Sequence, residues 1–322
     1  MVADLLWLQR SFDIAHTAIE AFVKGKSEAV ESALICVFAG GHLLIEDRPG
    51  VAKTSLARAI ARVFDGAEFQ RIQFTPDLLP SDLTGTEIYD ESQHAFRFRE
   101  GPVFTNVLLG DEINRASPKV QSALLQVMAE GRVTVGRQTH SVPTPFCCIA
   151  TQNPVDFQGT YALPEAQLDR FLMRISIGYP DPLDEIDVIT QGVSGRTADD
   201  VEPVLAMSDL RRVAGIVQTV EVNDPVKRYI VDIAEATRTS EKLRLGVSPR
   251  GCIALATAAR VRAATRGREF TAHDDVKALA QEVLGHRILL SDQAELDGTT
   301  AEQVLATILD TVPVQPAPAS RR

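Results

Sequence analysis

Residues 42–61 have the order strand, tight loop and helix, and this order constrains the fold around them more than any other feature of the sequence. The apolar run 43–45 predicts a buried strand, and Lys53 and Thr54 open a helix with apolar residues on one face. In a phosphate-binding loop of this kind, backbone N–H groups and the helix N-terminus hold phosphate oxygens, the lysine meets the outer phosphates and the hydroxyl ligates Mg²⁺. The candidate phosphate-binding residues are Pro49, Gly50, Val51, Ala52, Lys53, Thr54 and Ser55.

This loop departs from the glycine-rich phosphate-loop pattern at two positions. Asp47 occupies the first glycine position and Ala52 occupies the second. Taken alone, the segment is therefore also compatible with a plain loop that precedes a surface helix.

A second apolar strand, 107–109, is followed by Gly110 and then by two acids, Asp111 and Glu112. Such a strand lies beside the phosphate loop in P-loop ATPases. We expect Asp111 to contribute to the Mg²⁺ shell together with Thr54, and Glu112 to orient and polarise the attacking water. A solvated acidic strand end is the alternative, which is common for one acid and less common for this pair.

Three more polar residues stand near the ends of predicted elements. Asn153 follows the apolar strand 147–150 and is a candidate for holding the water or a γ-phosphate oxygen, although an Asn-Pro turn is the simpler interpretation. Arg170 lies at a helix end just before a strand and is a candidate for supplying charge to a phosphoryl transition state. Arg250 lies in the first turn of a later helix, where an isolated arginine is more often a surface residue.

Apolar strands alternate with helical patterns over the first 190 residues, at 43–45, 69–74, 107–109, 147–150 and 171–177. This alternation predicts a mostly parallel sheet with helices on both faces. From about Ser208 the strand signal ends and helical patterns follow, one of which opens with a capping box at 271–274. We expect an α/β domain at 1–190, a linker at 191–207, a helical domain at 208–310 and a disordered tail at 311–322.

Two short inserts interrupt the strand–helix alternation. Residues 83–104 contain the alternating sequence Phe-Arg-Phe-Arg, and residues 131–146 alternate around valines with Gly136 at the tip. Both patterns predict β-hairpins. Surface decoration is the simpler interpretation, but ordered insertions on a rigid scaffold often carry function.

Composition excludes several classes of protein. A net charge of −10 argues against a protein whose main task is binding nucleic acid. The four cysteines form no CxxC pair, which is typical of a reducing compartment, and the six histidines show no metal-ligand spacing. The N-terminus is acidic where a signal peptide needs basic residues, and the longest apolar stretch, 33–45, is shorter than the ~20 residues of a membrane-spanning helix. We therefore expect a soluble cytoplasmic protein with no membrane span.

The order of the motifs decides between the alternatives at each of them. Along the chain come a phosphate loop, an Asp-Glu strand, an Asn strand, an arginine before a strand and a helical domain that opens with Ser-Pro-Arg. This layout resembles that of the AAA+ ATPases. Four segments within 41–251 resemble the MoxR family nearly word for word. They are GHLLIEDRPGVAKT, LLGDEINRASPKVQSALLQVMAEGRV, ATQNPVDFQGTYALPEAQLDRF and GVSPRG. The resemblance implies an α/β P-loop AAA+ core followed by a smaller all-α lid domain.

The resemblance also implies a ring, usually hexameric, with ATP and Mg²⁺ bound between neighbouring subunits. The residues that it implies to act within one subunit are Lys53, Thr54, Asp111, Glu112 and Asn153. Arg170 resembles the arginine finger that reaches the next subunit's site. Arg250 resembles the sensor 2 arginine of the lid, and whether it acts in cis or in trans is left open.

A MoxR-type ATPase is expected to remodel or mature a protein client, often by helping to insert a metal or cofactor. The partner in this family frequently carries a von Willebrand factor A domain. Two alternatives are a nucleic-acid motor or loader of the same fold, and a nucleotide-gated scaffold with little turnover. The acidic net charge disfavours the motor, and the presence of Glu112 and Arg170 disfavours the scaffold.

Overall fold

A computed structural model of the protein describes residues 1–48, 50–153 and 160–314. Its helices are α1 (Val2–Glu20), α2 (Ser27–Phe38), α3 (Lys53–Arg62), α4 (Pro80–Thr84), α5 (Pro118–Glu130), α6 (Glu165–Leu168), α7 (Pro182–Val193), α8 (Asp209–Thr219), α9 (Asp224–Thr239), α10 (Pro249–Thr265), α11 (His273–Leu284), α12 (Asp292–Leu296) and α13 (Ala301–Thr311). Its strands are β1 (Leu43–Glu46), β2 (Phe64–Asp65), β3 (Phe69–Gln73), β4 (Gly85–Asp90), β5 (Ala95–Glu100), β6 (Val107–Asp111), β7 (Arg132–Val135), β8 (Gln138–Ser141), β9 (Cys147–Gln152), β10 (Met173–Ile175), β11 (Leu205–Ala206), β12 (Leu243–Leu245) and β13 (Leu289–Leu290).

Five of these strands form the central sheet, in the order β10-β1-β9-β6-β3. The pairs β1–β9, β9–β6 and β6–β3 are parallel. Strand β6 is buried along its whole length and β9 in all but its last residue, because a parallel sheet is covered on both faces. The predicted α/β fold class is thus confirmed. The predicted strand at 171–177 is shorter than expected and covers only β10.

Helix α5 packs its apolar face against this sheet. Val120, Leu124 and Val127 are buried in one cluster with residues of β6 and β9. The helix begins with Pro118 at its first position and ends at Gly131, which adopts a left-handed conformation with φ 63°. Ser117 stands at the N-cap, but its side chain accepts no hydrogen bond there.

Both predicted inserts are β-hairpins. Strand β4 pairs with β5 and β7 pairs with β8, each pair antiparallel, and Gly136 lies in the turn of the second hairpin. The two hairpins contact each other where the Phe98 ring stacks on His140, with 4.0 Å between ring centroids. They therefore form one packed surface feature.

The C-terminal part of the chain is helical, as expected, but it is not purely α. Strands β12 and β13 form a small antiparallel pair among helices α8–α13. Only half of the capping box expected at 271–274 is present, one residue later: α11 begins at His273, and Asp275 accepts a hydrogen bond from the Ala272 N–H at 2.8 Å, but Ala272 has no side-chain acceptor. Asp275 is fixed there because Arg262 and Arg268 both pair with it.

Contacts divide the chain into two units. One comprises residues 13–171 and 175–211, and the other comprises residues 1–12, 172–174 and the chain from Arg212 onward. This division differs from the sequence-based boundaries in joining the first twelve residues to the helical C-terminal unit. Most of the predicted disordered tail, from residue 315, lies outside the described residues. None of the helices within the described ranges has the length and apolarity needed to cross a bilayer.

Candidate active site

Three loops meet at the carboxyl edge of the sheet because β1, β9, β6 and β3 run in the same direction side by side. Between them lies a cleft of about 340 Å³. The residues that line it are Gly50, Ala52, Lys53, Thr54, Ser55, Arg71, Gln73, Asp111, Glu112, Thr151 and Asn153. The cleft thus brings together the predicted loop, the acid pair and the strand-end asparagine, while Val51 is buried and Pro49 lies outside the described residues.

The loop enters α3 through a left-handed residue that is not glycine. Ala52 has φ 61° and ψ 22°, a conformation that costs an alanine about 1–2 kcal/mol. This geometry explains why glycine is usual at that position. Ala52 carries no side-chain acceptor, so the first backbone N–H groups of α3 are not capped by it and open the helix toward a ligand.

Asp47, the other departure from the glycine pattern, has a structural role. Its Oδ2 accepts hydrogen bonds from the backbone N–H of Ile177 and Gly178 and from the Ser176 hydroxyl, at 2.6–2.9 Å. Its Oδ1 accepts from the Arg48 N–H at 2.7 Å. Burial raises the pKa of this carboxyl, but the four hydrogen bonds outweigh burial and leave the pKa below its usual value. Asp47 therefore ties the phosphate loop to the chain that follows β10.

Lys53 is held at the floor of the cleft. Its Nζ donates to the backbone carbonyl of Asp47 at 2.6 Å and more weakly to that of Gln152 at 3.4 Å. Burial lowers the pKa of the ammonium, while the nearby negative charges of Asp47, Asp111 and Glu112 oppose that shift. The result is a positive charge positioned beside the helix N-terminus, which suits phosphate oxygens.

Both carboxylate oxygens of Asp111 have protein partners. Arg71, on β3, donates from Nε and Nη2 to Oδ2, each at 2.7 Å. Thr151, at the end of β9, donates its hydroxyl to Oδ1 at 3.1 Å. Thr54 lines the same cleft. A carboxylate and a hydroxyl are oxygen ligands of the type that Mg²⁺ prefers, so the donor set fits this ion.

Glu112 lies one residue beyond Asp111 in a left-handed backbone conformation with φ 56°. Its N–H donates to the Thr151 hydroxyl oxygen at 2.9 Å. Its carboxylate Oε2 accepts from Gln73 Nε2 at 3.0 Å and from Arg115 Nη1 at 2.9 Å. These contacts fix the carboxylate at the rim of the cleft, where it can act on a water molecule.

Asn153 is buried and lies in the cleft lining, and its backbone carbonyl accepts a hydrogen bond from Asn114 Nδ2 at 3.2 Å. Arg170 is not part of that lining. It follows the short helix α6, and its Nη1 donates to the Leu125 carbonyl of α5 at 2.9 Å. Arg250 lies in the first turn of α10, within the helical unit, where the Ser248 side chain caps the helix by accepting from the Gly251 N–H.

The sequence analysis missed three residues of the cleft, namely Arg71, Gln73 and Thr151. Arg71 and Gln73 alternate on β3, so their side chains point to the same face. Strand β3 pairs in register with β6, which puts Gln73 opposite Asp111. The sequence did contain a signal for the two β3 residues: they are polar, they are two positions apart, and their strand precedes the strand that carries the acids.

No convergent group of three or more His, Cys, Asp or Glu side chains suited to a metal ion occurs among residues 1–48, 50–153 and 160–314. The four cysteines are free thiols. Burial raises the pKa of Cys147 to about 12 and that of its neighbour Cys148 well above its usual value. These two thiols are therefore unreactive core residues.

Residues 42–173 match the family described as ATPases associated with various cellular activities (AAA), and residues 235–308 match the AAA lid domain. The chain is 46% identical to the protein YeaC of Bacillus subtilis, over 92% of each sequence. It is 41% identical to the chaperone MoxR1 of Mycobacterium tuberculosis, over 91% of this chain and 80% of that protein. A crystal structure described as a candidate ATPase from Cytophaga hutchinsonii superposes with a TM-score of 0.90 at 36% identity and covers 98% of both chains.

Proposed function

Because the chain belongs to the MoxR family of AAA+ ATPases, we propose that its cleft binds ATP with Mg²⁺ and hydrolyses ATP to ADP and phosphate. One observation carries this proposal. Lys53 and the acid pair Asp111 and Glu112, which are far from it in the sequence, line a single cleft at the N-terminus of α3. A phosphate-binding cation, an ion-binding carboxylate and a carboxylate suited to activating water are the groups that phosphoryl transfer requires.

The main residues of the cleft have distinct parts in the proposed reaction. The first N–H groups of α3 and the Lys53 ammonium bind the phosphates, and Thr54 and Asp111 hold the ion. The ion, when bound, neutralises charge on the phosphate oxygens. Glu112 accepts a proton from the attacking water, and its hydrogen bonds to Gln73 and Arg115 fix where that water is oriented. The amide of Asn153 helps to hold the water or a γ-phosphate oxygen.

We further propose that the active form is a ring of identical subunits, hexameric as in related AAA+ proteins. Arg170 supports this assembly, because its guanidinium lies on α5 instead of in its own cleft, so it is available to act as an arginine finger in a neighbour's site. The sensor 2 role of Arg250 belongs to the same proposal.

Helix α7 also supports assembly, because it turns large apolar side chains away from the protein. Two of its polar residues lie on the protein side: Gln191 donates to the Ala21 carbonyl at 2.8 Å, and Asp184 packs beside Gly25. Its apolar residues face outward, with exposed fractions of 77% for Leu183, 60% for Ile186, 61% for Ile189 and 85% for Val193. An apolar helix face of this kind marks an interaction surface.

The work that hydrolysis performs is proposed to be chaperone-like remodelling of a protein client in the cytoplasm. The name of the relative MoxR1 supports the chaperone part of this proposal. Maturation of a client by metal or cofactor insertion, and a partner with a von Willebrand factor A domain, are the specific forms expected for this family. The paired hairpins, which expose Tyr89 and Phe96 at 52% and 70%, are the surface proposed to act on the client.

A trapping experiment tests both parts of the proposal. Glu112→Gln removes the proton acceptor, so this variant should bind ATP, hydrolyse it poorly and retain a protein client in ATP but not in ADP. Glu130→Gln, which changes an acid on the surface at the end of α5, is the matched control and should behave like the wild type. Capture of DNA or RNA instead would favour a nucleic-acid motor, and full ATP turnover by Glu112→Gln would contradict the catalytic assignment.

A further inference from the structure

Arg71 occupies a position in the cleft that its strand determines. Residues 71 and 73 lie on one face of β3, and Gln73 pairs in register with Asp111 on β6. From one pleat earlier, the Arg71 side chain reaches along the strand to the Asp111 carboxylate. Both Nε and Nη2 donate to the same oxygen, Oδ2, at 2.7 Å.

The Asp111 carboxylate cannot readily turn a different oxygen toward a bound cation, because both of its oxygens already accept hydrogen bonds. Its Oδ1 accepts the Thr151 hydroxyl, and the residue as a whole is 7% exposed. Oδ2 is the oxygen on the Arg71 side, and Arg71 itself lines the cleft with 45% of its side chain exposed. A cation that ligates Asp111 through Oδ2 must therefore displace the guanidinium, because two positive charges repel each other at that distance.

We propose that Arg71 competes with the magnesium ion of the bound nucleotide for Asp111, and so sets the Mg²⁺ concentration at which the cleft takes up nucleotide. This inference rests on the proposed nucleotide site. Arg71 is a positioning residue in this scheme: it keeps the Asp111 carboxylate oriented toward the cleft and gives up its hydrogen bonds as the ion arrives. Because 45% of its side chain is exposed, the guanidinium can move toward the phosphates or into solvent.

The test is the Mg²⁺ dependence of nucleotide binding, measured by the fluorescence of mant-ADP with the intact chain and without any turnover. At a fixed mant-ADP concentration, Mg²⁺ is titrated from an EDTA-containing buffer. An ion pair that is partly exposed is worth up to about a fivefold change in an equilibrium constant. Arg71→Gln should therefore lower the half-saturating Mg²⁺ concentration by up to about fivefold relative to the wild type.

Arg58→Gln is the matched control. Arg58 is similarly exposed, at 40%, but it pairs with Asp199 at 2.8 Å and does not line the cleft, so its loss removes the same charge and should leave the half-saturating Mg²⁺ concentration unchanged. An unchanged or raised value in Arg71→Gln, or an equal fall in Arg58→Gln, would overturn the inference. Arg71→Lys, which keeps the charge without the paired donors, should give an intermediate value and covers the case in which Arg71→Gln does not fold.

A separate measurement distinguishes this inference from the proposed function. Lys53→Ala should abolish mant-ADP binding at every Mg²⁺ concentration. If the wild type binds no mant-ADP, the nucleotide site itself is wrong and the inference fails with it. If the wild type binds and Arg71→Gln shows the same Mg²⁺ dependence, only the role of Arg71 is wrong.

Discussion

The Oδ2 atom of Asp47 accepts a hydrogen bond from the backbone N–H of Gly178 at 2.6 Å, which joins the start of the phosphate loop to the chain leaving β10. Sequence patterns give the first glycine of a phosphate loop at this position. The carboxylate instead gathers three donors from residues 176–178, which are distant in the sequence. The loop is therefore anchored by tertiary hydrogen bonds.

Asp47→Asn should destabilise the protein by about 2–3 kcal/mol at pH 7, because an amide replaces a charged acceptor and leaves backbone donors poorly paired. The effect should depend on pH with a definite sign. Since the pKa of Asp47 is lowered in the folded state, its stabilising contribution is complete above the unfolded value of about 3.9 and is lost as the pH falls through the folded pKa.

Urea unfolding at pH 7 and at pH 3 measures this difference. The difference in the free energy of unfolding between the wild type and Asp47→Asn should be large at pH 7 and smaller at pH 3. Asp297→Asn, at an exposed helix end, is the control and should change the unfolding midpoint little at either pH. A gap that widens in acid would contradict the anchoring role of the carboxylate.

Ala52→Gly should stabilise the protein by up to about 1.6 kcal/mol. The substitution removes the strain of an alanine in a left-handed conformation, which costs about 1–2 kcal/mol. It also lowers the free energy of unfolding by about 0.4–1 kcal/mol, because glycine gives the unfolded chain more conformational freedom. Ala123→Gly, within the right-handed helix α5, should instead destabilise by about 1 kcal/mol. Thermal unfolding of both variants is the measurement, and the same sign for both would show that the backbone at Ala52 is not strained.

Sequence patterns predicted the sheet well because its strands are short apolar runs buried on both faces, as in β6 and β9. They also selected Lys53 and Asp111, which line the same cleft, since each belongs to a local motif at the end of a strand. Arg71 was missed because its role comes from the register between β3 and β6, and no local pattern encodes a register. Helix α7 fell partly within a predicted linker, because large apolar residues such as Leu183, Ile186 and Ile189 face solvent in it, which is the reverse of the usual pattern for a surface helix.

Arg170→Ala should bind ATP like the wild type but hydrolyse it at least about 10³-fold more slowly, as expected when an arginine finger is removed. Arg170 does not line its own cleft, in keeping with its proposed action on a neighbouring subunit. Mixing Arg170→Ala with Glu112→Gln subunits tests this directly. Some interfaces then combine an intact cleft with an intact arginine, so ATP turnover should reappear in the mixture although each variant alone is nearly inactive. No recovery in a ring shown to contain both variants would mean that Arg170 acts within its own subunit.

The outward apolar face of α7 predicts how the ring is disrupted. Ile186→Asp combined with Ile189→Asp should leave the fold intact, because both side chains are more than half exposed and their loss opens no cavity. Each charge would be costly to bury against a partner, so the subunit concentration needed for assembly should rise by at least tenfold.

Sedimentation velocity in ATP and Mg²⁺ over a range of protein concentrations measures this shift. Leu296→Asp, at the end of α12, introduces the same charge at an apolar residue that is 84% exposed outside α7, and it is the matched control. Wild-type assembly by the double variant would exclude this helix face from the interface, while mant-ADP binding that persists in a dissociated variant would show that the cleft forms within one subunit.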